Sequence, residues 1–350
     1  MDSIPNRVIT ACVLLGLFLL NACVRPPTTT SSADRPALDS LRSQPKDTRV
    51  KPDKISYEMQ VPQHIRVKDY FPFMDSIVAT YDSLVDYSLT EHLLVWANSW
   101  IIDTLVSTDY YQQSAKDTFV YDQREIIVLS RESILRIPTQ EEASTIQQQL
   151  SHTVVDVNIP EFKLRIYRHD SVLHTFPARV GRDERKYLET AGRVVDLRTP
   201  IGSGKIVRIE RDPYFVDPVS GEPFTTTRRD DGKRTMMPQI PWLEPEINGI
   251  RYGSMIHPTT NPNTLGKAYS NGCVGTPEGV AWIIYYYAPV GTRVNFRYDL
   301  EVTDEWGNSL QLDDIYELVK KSHSSSLVNN FPSISVPGSS NTHYRWCLCR

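Results

Sequence analysis

Positive charge is in short supply. Thirty-eight Lys and Arg stand against forty-two Asp and Glu, and the formal net charge of −4 gives no reason to expect nucleic acid as a partner. Cysteine is scarce: Cys12, Cys23, Cys273, Cys347 and Cys349 are all there is. No two have Cys-x-x-Cys spacing, and the five do not make a disulfide framework. His152, His169 and His174 show no His-Glu-x-x-His spacing, which disfavours zinc hydrolysis. Cys347-Leu348-Cys349 has two thiols but no histidine ligands at suitable spacing, so neither a metal nor another cofactor is expected. Long apolar runs are missing too. The leading one, Val8 to Leu20, stops at thirteen residues, short of the ~20 that span a bilayer as a helix.

With 40% hydrophobic and 23% charged residues, the 350-residue chain can bury a sizeable core. Its length favours one large domain with extensions, or two domains. Residues 1–23 fit a secretory signal, with Arg7 ahead of the apolar run. Leu20-Asn21-Ala22-Cys23 looks like a bacterial lipobox, in which Cys23 would be lipidated and hold the chain to a membrane. Val24 follows, not an aspartate of the kind that retains lipoproteins at an inner membrane. The expected location is therefore the cell envelope, as a periplasm-facing lipoprotein of the outer membrane. Residues 24–56 are rich in Pro, Thr, Ser, Asp and Arg and read as a flexible linker.

Residues 57–151 read as a smaller, partly helical N-terminal region. Leu89 to Val106 is predicted to be buried and helical, Ile126 to Leu129 a strand. Thr139 and Glu142 have capping-box spacing for a helix ending near Leu150. No chemical motif occurs in this region, so it is either a structural extension or a module that shapes a groove. From residue 152 to 300 the pattern turns to short β-branched strands: Val154–Ile159, Lys163–Arg168 and Val172–Gly181, with turns at Pro160-Glu161 and His169-Asp170. Partial alternation predicts half-buried antiparallel strands. Arg208 to Leu243 is too long for a hairpin connection and reads as a lid or a disordered insert. Val280 to Tyr287 reads as a very aromatic helix, and Val290 to Phe296 as the strand that closes the sheet. Residues 301–350 form an extension, with one more helix at Ile315 to Lys320 and a Ser/Asn/Pro-rich, partly disordered remainder.

Chemistry concentrates between residues 256 and 275. His257 follows an apparent strand, Tyr252 to Ile256, and precedes Cys273 by sixteen positions. Cys273 sits in Ser270-Asn271-Gly272-Cys273-Val274-Gly275, a turn-prone run that would expose a thiol. A free cysteine with a pKa near ~8.5 needs a neighbouring imidazole to act as a nucleophile at neutral pH. His257 is the histidine near it in the chain. Backbone N–H groups around Asn271, Gly272 and Cys273 can hold an oxyanion, and Ser270 and Asn271 can orient thiol or substrate. Tyr252, Tyr269 and Trp242 are candidate groove walls.

Asn158-Ile159-Pro160-Glu161-Phe162-Lys163-Leu164, Phe176-Pro177 with Val180-Gly181, Thr199-Pro200-Ile201-Gly202, Ile256-His257, Leu265-Gly266, Ser270-Asn271-Gly272-Cys273 and Pro289-Val290-Gly291-Thr292 occur in one order. That ordered set resembles the L,D-transpeptidases of the YkuD-like type, over about residues 153–298. The resemblance implies a mostly β catalytic domain, a sandwich or barrel with short helices. It implies peptidoglycan stem peptides as partners, and Cys273 carrying an acyl group cut from a stem tetrapeptide. The acceptor would be an amine of another stem or of a protein. With water as acceptor the same site would be a carboxypeptidase, and a non-catalytic wall-binding lipoprotein is the third reading. Two positions depart from the family pattern. Asn271 stands where a second histidine is usual, and Gly275 where an arginine is usual. Arg251, Lys267, Arg228 and Arg229 are candidates to replace the missing charge, and Tyr252, Arg251, Lys267 and Tyr269 the candidate substrate contacts.

Overall fold

The β-branched stretch after residue 152 folds into β1 (Thr153–Asn158), β2 (Lys163–Arg168) and β3 (Ser171–Pro177). They are antiparallel, with Val155 opposite Ile166 and Leu164 opposite Phe176, and all but Phe176 of these four are fully buried. The expected turns are there: Phe162 and His169 take positive φ values of 54° and 52° and reverse the chain. The computed structural model describes residues 57–304 and 306–319. The signal stretch, Cys23, the linker, Cys347, Cys349 and the Ser/Asn/Pro-rich stretch lie outside the described residues.

Five more strands complete the sheet: β4 (Gly202–Glu210), β5 (Trp242–Ile247), β6 (Ile256–Pro258), β7 (Val274–Thr276) and β8 (Arg293–Arg297). Their spatial order is β7-β6-β5-β4-β8-β1-β2-β3. While β1, β2 and β3 are antiparallel to one another as expected, two pairs, β6–β7 and β8–β1, are parallel. Each is joined by a connection long enough for a crossover, which a parallel pair requires. β8 does not close the sheet from an edge; it lies inside it, between β4 and β1. The edges meet elsewhere. Leaving β3, Arg179 exchanges both backbone hydrogen bonds with Gly275 of β7, each 2.8 Å. Val180–Gly181 then pairs with Ala268–Ser270. The sheet is thus a nearly closed barrel, with its two edge strands joined at a seam.

The N-terminal region packs in the same compact unit. It contains α1 (Val67–Tyr81), α2 (Glu91–Ala97), α3 (Trp100–Val106), α4 (Tyr110–Ser114) and α5 (Gln140–Ser151). α5 opens with the capping box expected from Thr139 and Glu142. The aromatic helix α6 (Glu278–Tyr287) is apolar nearly all round, as suits a helix covered on every side. Its polar tips go to the N-terminal region: Tyr285 and Tyr286 hydroxyls donate to the Glu91 carboxylate at 2.7 and 2.8 Å. The Tyr70 and Tyr286 hydroxyls are 2.6 Å apart.

The long stretch between β4 and β5 is ordered by a hairpin, Thr226–Arg228 against Arg234–Met236. Arg229, in its turn, plunges inward and pairs with Glu278 at the start of α6, both side chains fully buried. Gln123 bridges the pair, donating to Glu278 and accepting from Arg229 at 2.8 Å each. The Tyr110 ring lies 4.5 Å below the guanidinium. Burial pushes the Glu278 carboxyl above its ordinary pKa, and Arg229 holds it back. Arg229 is therefore a structural ion-pair partner and not a replacement for the missing site charge. Two smaller expectations also change. Tyr252 to Met255 is not strand, because Gly253 turns the chain at φ 75°. The helix expected at Ile315 to Lys320 does not begin at Ile315, where the chain turns and the Tyr316 hydroxyl donates to the Gly181 carbonyl at 2.6 Å; Leu318 and Val319 are helical, and residue 320 lies outside the described residues.

Removing one partner of the buried pair strands the other in an apolar setting. Glu278→Ala is expected to lower stability by ~3–5 kcal/mol in urea unfolding, and Glu278→Gln by less. A loss below about 1 kcal/mol for the alanine variant would contradict this account of the hairpin's anchor.

Candidate active site

Cys273 and His257 arrive on neighbouring strands. The ladder sets Ile256 against Val274 and His257 against Gly275. Cys273 precedes β7, and its sulfur accepts from the Met255 N–H at 3.2 Å, two residues before His257. Met255 and Cys273 lie just ahead of β6 and β7, so this hydrogen bond and the parallel ladder after it set the sulfur beside the strand that carries His257. His257 is the middle residue of β6 and is buried, where the sequence suggests a strand end.

The imidazole is oriented by the chain itself. His257 Nδ1 lies 2.7 Å from the Pro258 carbonyl, which can only accept, so Nδ1 carries the hydrogen. Nε2 is left as the acceptor, buried and without a hydrogen-bond partner. The Trp242 ring lies against it, with centroids 4.6 Å apart and the planes tilted by 35°. Trp242 also shares a small buried cluster with Cys273, Met255, Leu188 and Leu197. Burial first, and then the Arg179 charge, push the His257 pKa down to about 3, with the Pro258 contact opposing. The ring is neutral at physiological pH.

Cys273 is disulfide-bonded in this structure, whereas the sequence reading leaves it outside any such bond. The other four cysteines all lie outside the described residues. Nucleophilic chemistry at this sulfur belongs to the reduced form.

The turn before Cys273 is held internally. Ser270 is fully buried; its hydroxyl donates to the Cys273 carbonyl at 2.6 Å and accepts from the Gly272 N–H at 3.2 Å. That spends the Gly272 donor within the turn, so Gly272 shapes the site and does not offer its N–H to an oxyanion in this geometry. Its φ of 109° is one that a side chain resists. Asn271 accepts a short hydrogen bond from Arg182 Nη2.

A cavity of about 460 Å³ opens beside His257. Arg179, Arg182 and Arg228 give it positive charge, and Trp242, Phe215 and Phe224 give it apolar walls. Asn271 and Tyr269 line it as well. Arg251, Tyr252 and Lys267 do not. Arg251 is taken up by Glu244, with contacts of 3.0 and 2.5 Å. Tyr252 and Lys267 are exposed and are not among the cavity's lining residues. Sequence reasoning missed Arg179 and Arg182, which stand about ninety positions from Cys273. The signal was indirect: a glycine at 275 leaves a charge to be supplied from elsewhere. Among the described residues no group of His, Cys, Asp and Glu is arranged to hold a metal ion.

Fold and site together define a mostly β domain with a histidine at the wall of a cationic cleft and, packed with Trp242 of that wall, a cysteine that is fully buried and not exposed as its turn-prone surroundings predict. Residues 152–296 match the family model of the YkuD L,D-transpeptidase catalytic domain. Bacillus licheniformis YkuD, provisionally named as an L,D-transpeptidase, is 28% identical over 132 residues. That alignment covers 38% of this chain and 58% of the relative's length. Among solved structures, an L,D-transpeptidase from Mycobacterium smegmatis is similar at 16% identity and a TM-score of 0.29, over 42% of this chain and 58% of that one. One from Xylanimonas cellulosilytica is similar at 17% identity and a TM-score of 0.31, over 68% and 98%.

The depressed imidazole pKa has a consequence for stability. Above the ordinary value of 6.5, folded and unfolded chains both keep His257 neutral, and this residue gives no pH dependence. Between 6.5 and about 3, the unfolded chain takes the proton and the folded one does not, so stability falls as pH falls. Relative to His257→Gln, the wild type is expected to lose roughly 1.4 kcal/mol per pH unit across that window. Denaturant midpoints at several pH values would check it; a flat difference would refute the neutral, buried ring.

Proposed function

We propose that this chain is a peptidoglycan L,D-transpeptidase working through a cysteine acyl-enzyme. One observation carries the reading. His257 has Nδ1 pinned by the Pro258 carbonyl and Nε2 unpartnered, two residues along from the N–H that donates to Cys273 Sγ. An imidazole fixed in that tautomer is a proton acceptor aimed from one nitrogen. The matched stretch, residues 152–296, supports the choice of reaction.

In the reduced enzyme, Cys273 Sγ gives its proton to His257 Nε2 as it attacks the carbonyl between the third and fourth residues of a stem tetrapeptide. The C–N bond breaks, the leaving amine takes the proton from His257, and a thioester remains. An acceptor amine then attacks the thioester, its proton passes to His257, and the sulfur leaves as a thiol once it regains that proton. A sulfur stabilised by the Met255 N–H is the better leaving group in this second step. The same reading places the chain at the cell envelope, held by a lipid on Cys23.

Incubation of the reduced enzyme with stem tetrapeptides is expected to give cross-linked dimers, and Cys273→Ala none, as read by mass spectrometry of the products. Trimmed monomers alone, even with excess acceptor amine, would make the enzyme a hydrolase. Unchanged dimer formation by Cys273→Ala would end the proposal.

A further inference from the structure

Arg179 sits at the barrel seam, 5% exposed. Among the described residues its guanidinium has no carboxylate within salt-bridge distance. Its side-chain hydrogen bond, Nη1 to Thr264 Oγ1, is long at 3.3 Å, and Nε is buried without a partner. A buried cation without a counter-ion is costly, and folding alone gives no reason to keep one. Yet space is kept for it. A Cβ added at Gly275 would lie 2.9 Å from Arg179 Nε, 3.2 Å from Nη2 and 3.3 Å from Cζ. Gly275 has no positive φ, so its backbone does not demand glycine. The demand comes from the guanidinium lying over it.

The cavity lined by Arg179 is the one lined by His257 and Asn271. The other cations there are differently placed. Arg182 is engaged with Asn271 and faces the Glu184 carboxylate at 3.3 Å, and Arg228 is exposed. We infer that Arg179 receives the free C-terminal carboxylate of the donor peptide, supplying from across the seam the charge that position 275 does not carry. This rests on the acyl-transfer reading above. In a stem tetrapeptide that carboxylate is one residue beyond the scissile carbonyl, so its receptor must stand next to the thiol and imidazole. Arginine suits a planar carboxylate, which it can bind through two parallel N–H donors. The bound carboxylate also offsets the Arg179 charge, which is second to burial among the causes that lower the His257 pKa.

Two peptides test this: a stem tetrapeptide with a free C-terminal carboxylate, and the same peptide as its C-terminal amide. In a Cys273→Ala background, which keeps the donor uncleaved, calorimetry is expected to show the acid binding at least ~10-fold tighter, the worth of one charge-assisted hydrogen bond. Adding Arg179→Gln should bring the two within about twofold, and Arg179→Ala with Gly275→Arg should restore the preference by returning a guanidinium from the other strand. A preference that survives Arg179→Gln, or an equal loss of both peptides, overturns the assignment. Thioester formation by the reduced, otherwise unchanged enzyme separates the two readings. Failure with both peptides sinks the acyl-transfer reading and this inference with it. Equal thioester formation from acid and amide sinks only the role of Arg179.

Discussion

Two backbone hydrogen bonds between Arg179 and Gly275 close the barrel, and the site hangs from them. They fix β7 against the chain leaving β3, and thereby fix where Cys273 begins. The closure is reinforced one step further on. The Gly181 N–H donates to Thr199 Oγ1 at 2.8 Å, and that hydroxyl donates to the Gly272 carbonyl at 3.2 Å. The Gly181 carbonyl meanwhile accepts from Tyr316. Seam, cysteine turn and the chain after β8 are therefore one hydrogen-bonded system. Opening the seam would release two edge strands and move the sulfur relative to the imidazole at the same time.

The electrostatics of the pair follow from burial more than from partners. No carboxylate orients His257; a backbone carbonyl does, which fixes the tautomer without adding a negative charge that would raise the ring's basicity. Burial, and after it the Arg179 charge, push the ring's pKa down. Such an imidazole holds a proton poorly and surrenders it readily. That favours protonation of a leaving amine over a standing thiolate–imidazolium pair. Charge brought in by a substrate then matters more than it would beside a histidine already held near neutrality.

The fold was legible where one element decides it. Strands β1 to β3, the capping box at Thr139 and the aromatic helix after the cysteine follow from local pattern, because their residues satisfy one another within a few positions. The parallel pairs did not follow, since direction depends on how long connections cross over. Cys273 and His257 stood out because small turn residues around a cysteine are uncommon. Arg179 did not, because its meaning comes from Gly275, which is ninety-six positions away in sequence and directly opposite in space. Two candidate cations nearer in sequence failed for a physical reason: Arg251 and Arg229 already have buried carboxylates of their own.

Residues 57–151 carry no motif, yet they bear on the site through the hairpin. The residues lining the cleft all lie beyond residue 178. What the N-terminal region supplies is the anchor: Gln123 and Tyr110 complete the pocket around Arg229, and the Tyr111 hydroxyl accepts from the Asp230 N–H at 2.9 Å and donates to the Thr260 carbonyl at 3.2 Å. Thr227 and Thr260, whose hydroxyls are 3.1 Å apart, are both cleft residues. The wall made by Thr227, Arg228 and Thr260 thus has its position set in part by α4, which contributes no lining residue of its own. An insertion as long and polar as residues 211–241 would lose much conformational entropy on ordering by itself. Burying one of its own charges against α6, with the N-terminal region sealing the ion pair from water, is the interaction that makes the ordered wall the stable one.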